Sequence, residues 1–249
     1  MLFGRFGKHI REQNWFAVAI DFLIVVFGVF IGFQLDNWNE ARKNRAEEHQ
    51  YLLRLYDDMS ATIEQTKSSI AFMRKNADRA GVVLRDLKAC RIPDVDGVDF
   101  ANGLYQLGKL YAPILVRGTI DELQSTGKMF ILRDVGLRRQ INETVQTYED
   151  LLNVWPQALG RLNSKVSYVD RVVAYRIEGP HDGGIDIALA DVEFDLDSLC
   201  TDRRFYTAVA AVRNYSYDIV VWHQDLLVQY KDFQAYLAEE LNLPSQRQT

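Results

Sequence analysis

A chain of 249 residues, 48% of them hydrophobic, has enough apolar side chain to pack one sizeable domain or two small ones, which excludes general disorder. Its 29 basic residues against 34 acidic ones leave a formal charge of -5 and no basic stripe fit to neutralise a phosphate backbone, so nucleic acid is excluded as the expected partner. The few prolines and glycines gather mainly at Arg91 to Gly118 and Gly179 to Gly184, and the unbroken stretches between them read as helices.

After a tail of residues 1–14, the first element is the apolar run Trp15 to Leu35, WFAVAIDFLIVVFGVFIGFQL. About 21 residues at about 1.5 Å each match a hydrocarbon core of roughly 30 Å. The run shows no polar face from Phe22 to Phe33, which argues against a buried helix of a soluble protein. The QLDNWNE that follows is no small-residue cleavage site, which argues against a cleaved leader. Trp15 and Trp38 fall near the two ends, where amphipathic rings settle among headgroups. Arg5, Lys8 and Arg11 precede the span, whereas Arg42, Lys43 and Arg45 after it are diluted by Asp36, Glu40, Glu47 and Glu48; this places the tail in the cytoplasm and the rest outside.

A charged carboxylate near the bilayer centre costs about 2.5 to 3.5 kcal/mol, so Asp21 is expected to be neutral or to face a partner. Asp21, Val25, Gly28 and Gly32 share one stripe, and Gly28 to Gly32 is a GxxxG that lets a second backbone approach closely. Two readings of the stripe stand: a hydrogen-bonded aspartate inside a structural contact, or a carboxylate that handles protons or docks a partner.

Residues 36–90 form a long heptad-patterned helix, with Leu52, Tyr56, Met59, Ile63, Thr66, Ile70, Met73, Ala77, Ala80, Leu84 and Leu87 along its seam. Residues 91–249 make up the remainder of the exported domain. CRIPDVDGVD from Cys90 reads as a loop, followed by a short helix from Phe100 to about Leu110. In TIDE, Thr119 is placed to cap a helix and Glu122 to reach back to it, and Gly127 to end it. Asp134 caps a second long helix with an apolar stripe from Leu137 to Val173, in which Pro156 is expected to introduce a kink.

The acidic text from Gly179 to Asp202 reads as a loop. Asp191, Glu193, Asp195 and Asp197 alternate as they would on one face of an extended strand, but the ordered spacing of a calcium loop is missing and a solvated loop is expected. His181 beside Asp182 reads as a surface turn, since no nucleophile accompanies it. The last helix runs from about Arg203 to Leu241, and its inner aromatics read as bundle core or as the lining of a ligand pocket. Three long helices and shorter ones make the fold class all-α: a transmembrane helix continuing into an antiparallel bundle of about four helices. Cys90 and Cys200 stand apart with no CxxC or histidine motif, so a disulfide and two free thiols remain the alternatives.

The stretch AIDFLIVVFGVFIGFQLDNWNEARKNR, Ala19 to Arg45, resembles the signature of a large family of uncharacterised bacterial single-pass membrane proteins. In that signature an acidic residue opens an apolar run that ends in a Gln and then Asn-Trp-Asn-Glu. Here these are Asp21, Gln34, Asn37, Trp38, Asn39 and Glu40. GTIDELQSTGKMFILRD, Gly118 to Asp134, is similar to a second block of the same family, through Glu122, Leu123, Ser125, Gly127 and Ile131 to Asp134. The resemblance implies a protein anchored in a bacterial membrane and brings no activity or cofactor with it. The Gln34 to Glu40 motif reads as a fixed membrane exit or as a docking site for another membrane protein.

No nucleophile, base and oxyanion donors assemble from the sequence, so no enzyme is expected. An accessory, scaffold or sensor-like protein is the first expectation. Its partners would be the lipid bilayer and, through the membrane helix, a second copy or another membrane protein. With only about fourteen residues left in the cytoplasm, any signal would pass sideways. The alternative is a stator-like subunit of a proton-driven complex, because WFAVAIDFLIVVF is similar in outline to the membrane helices of that class. Either way the expected location is the bacterial inner membrane, with the large domain in the periplasm.

Overall fold

The computed structural model describes residues 15–176 and 186–243, and its side chains from residue 20 onward apart from Asp21. His181 and Asp182 lie outside the described residues. The helices are α1 (Trp15–Ala89), α2 (Gly97–Tyr105), α3 (Gly118–Ser125), α4 (Val135–Val169), α5 (Leu196–Thr201) and α6 (Arg203–Glu240). Strands β1 (Ala174–Tyr175) and β2 (Val192–Glu193) pair antiparallel, with Ala174 opposite Glu193. The fold is thus all-α. The chain divides into two units, residues 1–51 and residues 52–249, and the packing below is that of the second.

Side-chain bonds fix the order of the three long helices. Gln234 on α6 donates to Ser60 on α1 at 2.7 Å, and Tyr217 on α6 donates to Asp78, so α6 runs antiparallel to α1. Between α4 and α6 the bonds are reciprocal. Asp134 caps α4 by accepting from the Gly136 N–H and also takes the hydroxyl of Tyr236 near the far end of α6. Asp202 caps α6 by accepting from the N–H groups of Arg204 and Phe205, and takes the hydroxyl of Tyr168 near the far end of α4 at 2.6 Å. Each N-terminal aspartate is therefore held by a tyrosine from the partner helix, which sets the antiparallel register at both ends. The tyrosine bonds draw both carboxyls below their ordinary range.

It follows that α1 and α4 run parallel, and the connection between them must return along the whole bundle. It does so down the flank of α1. Asp99 meets Arg79 at 2.9 Å, Tyr111 packs on Phe72 with ring centroids 5.0 Å apart, and the Val116 N–H donates to Thr62 at 2.9 Å. Below these, the Thr119 N–H donates to Asp58 at 3.1 Å and Glu122 meets Arg54 at 2.5 Å. Extended chain explains the pace of the middle part. Five residues at about 3.3 Å each, from Tyr111 to Val116, cover the same roughly 15 Å as the ten helical residues from Thr62 to Phe72. Pro113 keeps this stretch out of helix.

The place of a fourth long helix is accordingly taken by α2, an extended stretch and α3. The helix expected from Phe100 to Leu110 runs instead from Gly97 to Tyr105, and the chain turns at Gly108 with φ +74°. Nor does Thr119 cap α3. Arg117 holds the N-cap position, Thr119 is buried, and its N–H is satisfied from α1 by Asp58. Gly127 does end that segment in the left-handed conformation, φ 70°.

The upper core joins Ala80, Val83 and Leu87 of α1 to Phe100 and Leu104 of α2 and to Phe205, Ala208 and Val212 of α6. Contact is closest at Gly103, where a Cβ would stand 2.6 Å from the Arg79 carbonyl oxygen and 2.7 Å from Val83 Cγ2, so only glycine lets α2 lie on α1. The buried face of α1 is wider than the apolar seam. Leu55, Thr62, Ser69, Asn76 and Val83, one heptad position, are all buried, whereas Tyr56, Ile70 and Leu84 are half-buried. Pro156 lies inside the continuous helix α4.

The stretch read as a solvated loop does not lay its carboxylates in a row along one strand face, and its last part forms the short helix α5. Asp191 accepts from the Ala188 N–H, Glu193 pairs with Arg176 at 2.5 Å, Asp195 caps α5, and Asp197 stands in the first turn of α5. Carboxylates that read as a row are spent one at a time on turn ends and a single ion pair.

Candidate functional site

The first unit carries the apolar run. Among the described residues one helix, α1, is long and apolar enough to cross a membrane, and none of its apolar window is buried. Phe22 is 67% exposed, Leu23 50%, Ile24 63% and Val25 64%, and these four consecutive residues, about 100° apart, circle the helix axis. A helix that packs one face against a core buries a stripe; this one buries none. A monomer in water does not keep so large an apolar surface without a use for it.

Gly28 and Gly32 lie on that surface, with nothing within 4 Å of where a Cβ would stand on either, so the space above both is open. Asp21 falls one turn before Val25 on the same helix, and its side chain lies outside the described residues. Gln34, Asn37, Trp38, Asn39 and Glu40 continue the same helix without a break. All five are exposed, Trp38 at 66%, so the motif marks a change of surface chemistry along one rod rather than a turn in the chain. Gln34 and Trp38, four residues apart, share a face.

At the other end of α1 the structure joins Cys90 to Cys200, 110 positions apart in sequence, with Cα atoms 5.5 Å apart. The helix stops there in a Schellman arrangement. The Cys90 N–H bonds the Leu87 carbonyl and the Arg91 N–H reaches the Asp86 carbonyl. Cys90 occupies the left-handed position, φ 45°, that glycine usually fills. The bridge thus ties the C-terminus of α1 to α5, just ahead of α6.

Two clusters escaped the sequence reading. Arg79, 6% exposed at the side chain, bonds Asp99 at 2.9 Å and grips Asp186 with both terminal nitrogens. This bond holds the Asp186 carboxyl below its ordinary range. Next to it, the fully buried Asn102 donates to the Ile187 carbonyl at 2.9 Å and accepts from the Ile187 N–H at 3.0 Å, satisfying both backbone groups of that residue. A charge one step off an apolar seam, with carboxylates about 20 and 107 positions away, carries no local signal of this pairing. The second cluster is a cleft of about 400 Å³ between the last turns of α4 and the first turns of α6, lined by Lys165, Tyr168, Arg203 and Arg204. Among the described residues, no three His, Cys, Asp or Glu side chains stand together as a metal site.

Compared with known proteins, the chain matches no family model, no curated protein and no solved structure.

Proposed function

We propose that this chain is a membrane-anchored accessory, scaffold or sensor-like protein of the bacterial inner membrane that acts through lateral partners. The observation that carries the proposal is the exposure of the apolar run on every side of α1. Lipid is the solvent in which such a surface is stable. The bacterial setting rests on the resemblance of Ala19 to Arg45 and Gly118 to Asp134 to a family of such proteins. The basic residues ahead of the run, Arg5, Lys8 and Arg11, support a cytoplasmic tail. A bridge between Cys90 and Cys200 fits an oxidising compartment, which supports export of residues beyond the span.

The open space over Gly28 and Gly32 supports a contact with a second copy or with another membrane protein through that face. The full chain, purified in mild detergent, is expected to carry such a partner at fixed stoichiometry. In the double variant Gly28→Leu, Gly32→Leu, that partner is expected to fall at least about tenfold, with the helical circular dichroism unchanged. An identical particle for both proteins would contradict lateral action through these glycines. Asp21→Asn separates the stator-like alternative. Loss of function with assembly intact favours proton handling, and loss of assembly favours a structural contact.

A further inference from the structure

We propose that the cleft between the C-terminal turns of α4 and the N-terminal turns of α6 binds a small soluble organic phosphate. Arg204 and Arg171 both lie against the ring of Tyr168, their guanidinium carbons 4.5 Å and 5.6 Å from its centroid. An arginine ordered through its flat face keeps its in-plane N–H donors free. That is a different state from Arg79, Arg85 and Arg117, each of which spends its donors on two carboxylates. Lys165 and Arg203 line the same cleft. Among the described residues, no carboxylate stands in ion-pair contact with any of these four cations.

One carboxylate lies close by, and it is already used. Asp202 accepts from the Tyr168 hydroxyl at 2.6 Å and from the N–H groups of Arg204 and Phe205 at 2.8 and 3.0 Å, so its hydrogen bonds go to capping α6 and anchoring Tyr168, and its charge offsets Arg204 only from a distance. The three cations that line the cleft, Lys165, Arg203 and Arg204, outnumber this one anion and leave a surplus that a single carboxylate ligand would not balance. A phosphate monoester brings close to two negative charges and three acceptor oxygens, and guanidinium groups bind it in forked pairs. The cleft, about 400 Å³, is larger than a bare phosphate needs and leaves room for a carrier of glycerol or sugar size. Ser164 and Thr207 suit the carrier: each hydroxyl already donates to a helix carbonyl, of Arg161 and Arg203, and so offers its lone pairs to ligand hydroxyls.

Isothermal titration of the full chain in nonionic detergent at low salt tests this, with glycerol phosphate and inorganic phosphate as probes. Saturable one-to-one binding is expected, tighter for glycerol phosphate. Arg204→Gln and Lys165→Gln are each expected to weaken it about tenfold or more. Lys165 is exposed, so its variant keeps the test valid should Arg204→Gln disturb the stacking on Tyr168. No saturable binding by the wild type overturns the proposal, as does binding that both variants leave unchanged. Binding of micellar phosphatidic acid with none of glycerol phosphate overturns it too, because the ligand would then be a lipid headgroup. The proposal rests on the cleft alone and stands or falls independently of the membrane reading.

Discussion

Exchange of Cys200 for serine is expected to lower the unfolding free energy by about 4 kcal/mol, seen as a fall in the thermal midpoint of the helical signal. The size follows from the separation of the bridged residues, 110 positions. A bond that closes so long a loop removes many conformations from the unfolded chain, and all of them return when it is cut. Reductant should reproduce the loss in the wild type and add nothing in the variant. Cys90 gives a finer test, because it sits in the left-handed position that ends α1, φ 45°. Cys90→Gly and Cys90→Ser both lose the bridge, but glycine adopts that backbone without the steric cost of a side chain. The glycine variant should therefore be the more stable of the two by about 1 kcal/mol. Equal stability of wild type and Cys200→Ser without reductant would contradict the bridge.

Arg79→Met is expected to cost about 3 kcal/mol, with the thermal midpoint as the readout. Methionine replaces the buried stem but none of the charge-assisted bonds to Asp99 and Asp186, whose carboxylates are 50% and 35% exposed. Those two recover part of their hydration, which keeps the cost below that of stranding a fully buried charge. The pH dependence has a definite sign. Because the Arg79 guanidinium holds the Asp186 carboxyl below its ordinary value, the stability it contributes is complete above the ordinary carboxylate range. That stability is lost as pH falls through the range toward the lowered folded value. The acid limb of the wild type should therefore be steeper than that of Arg79→Met. Parallel limbs would contradict the pairing.

How much of this was legible in the sequence depended on the range of the physics involved. Local signals carried the helices. Asp134 caps α4 and Gly127 turns left-handed as their residue types dictate, and the long stretches between the proline- and glycine-rich segments became α1, α4 and α6. The heptad pattern found most of the α1 seam and missed the position of Leu55, Thr62, Ser69, Asn76 and Val83, because Thr62, Ser69 and Asn76 look like solvent positions until packing encloses them. Thr62 is there to accept the Val116 N–H, a partner 54 positions away. The TIDE motif failed for the same reason. The expected capping box is a local bond, and the tertiary contact from Asp58 satisfied the Thr119 N–H instead.

The candidate sites divide the same way. The apolar run is a local property and shows in composition, whereas the Arg79 cluster and the cleft at Tyr168 gather residues from separate helices and loops. Single residues gave some warning even so. Pro113 and Gly108 mark the stretch after α2 as a poor helix, and that stretch is where the fourth long helix gives way to extended chain.

Membrane anchoring requires that the side chains between Trp15 and Leu35 take lipid as their solvent. Membranes from a bacterium expressing the full chain, washed with alkaline carbonate and pelleted, decide it. The protein should stay in the pellet and leave it only with detergent. Recovery in the carbonate supernatant as a folded, monodisperse species would contradict the anchor.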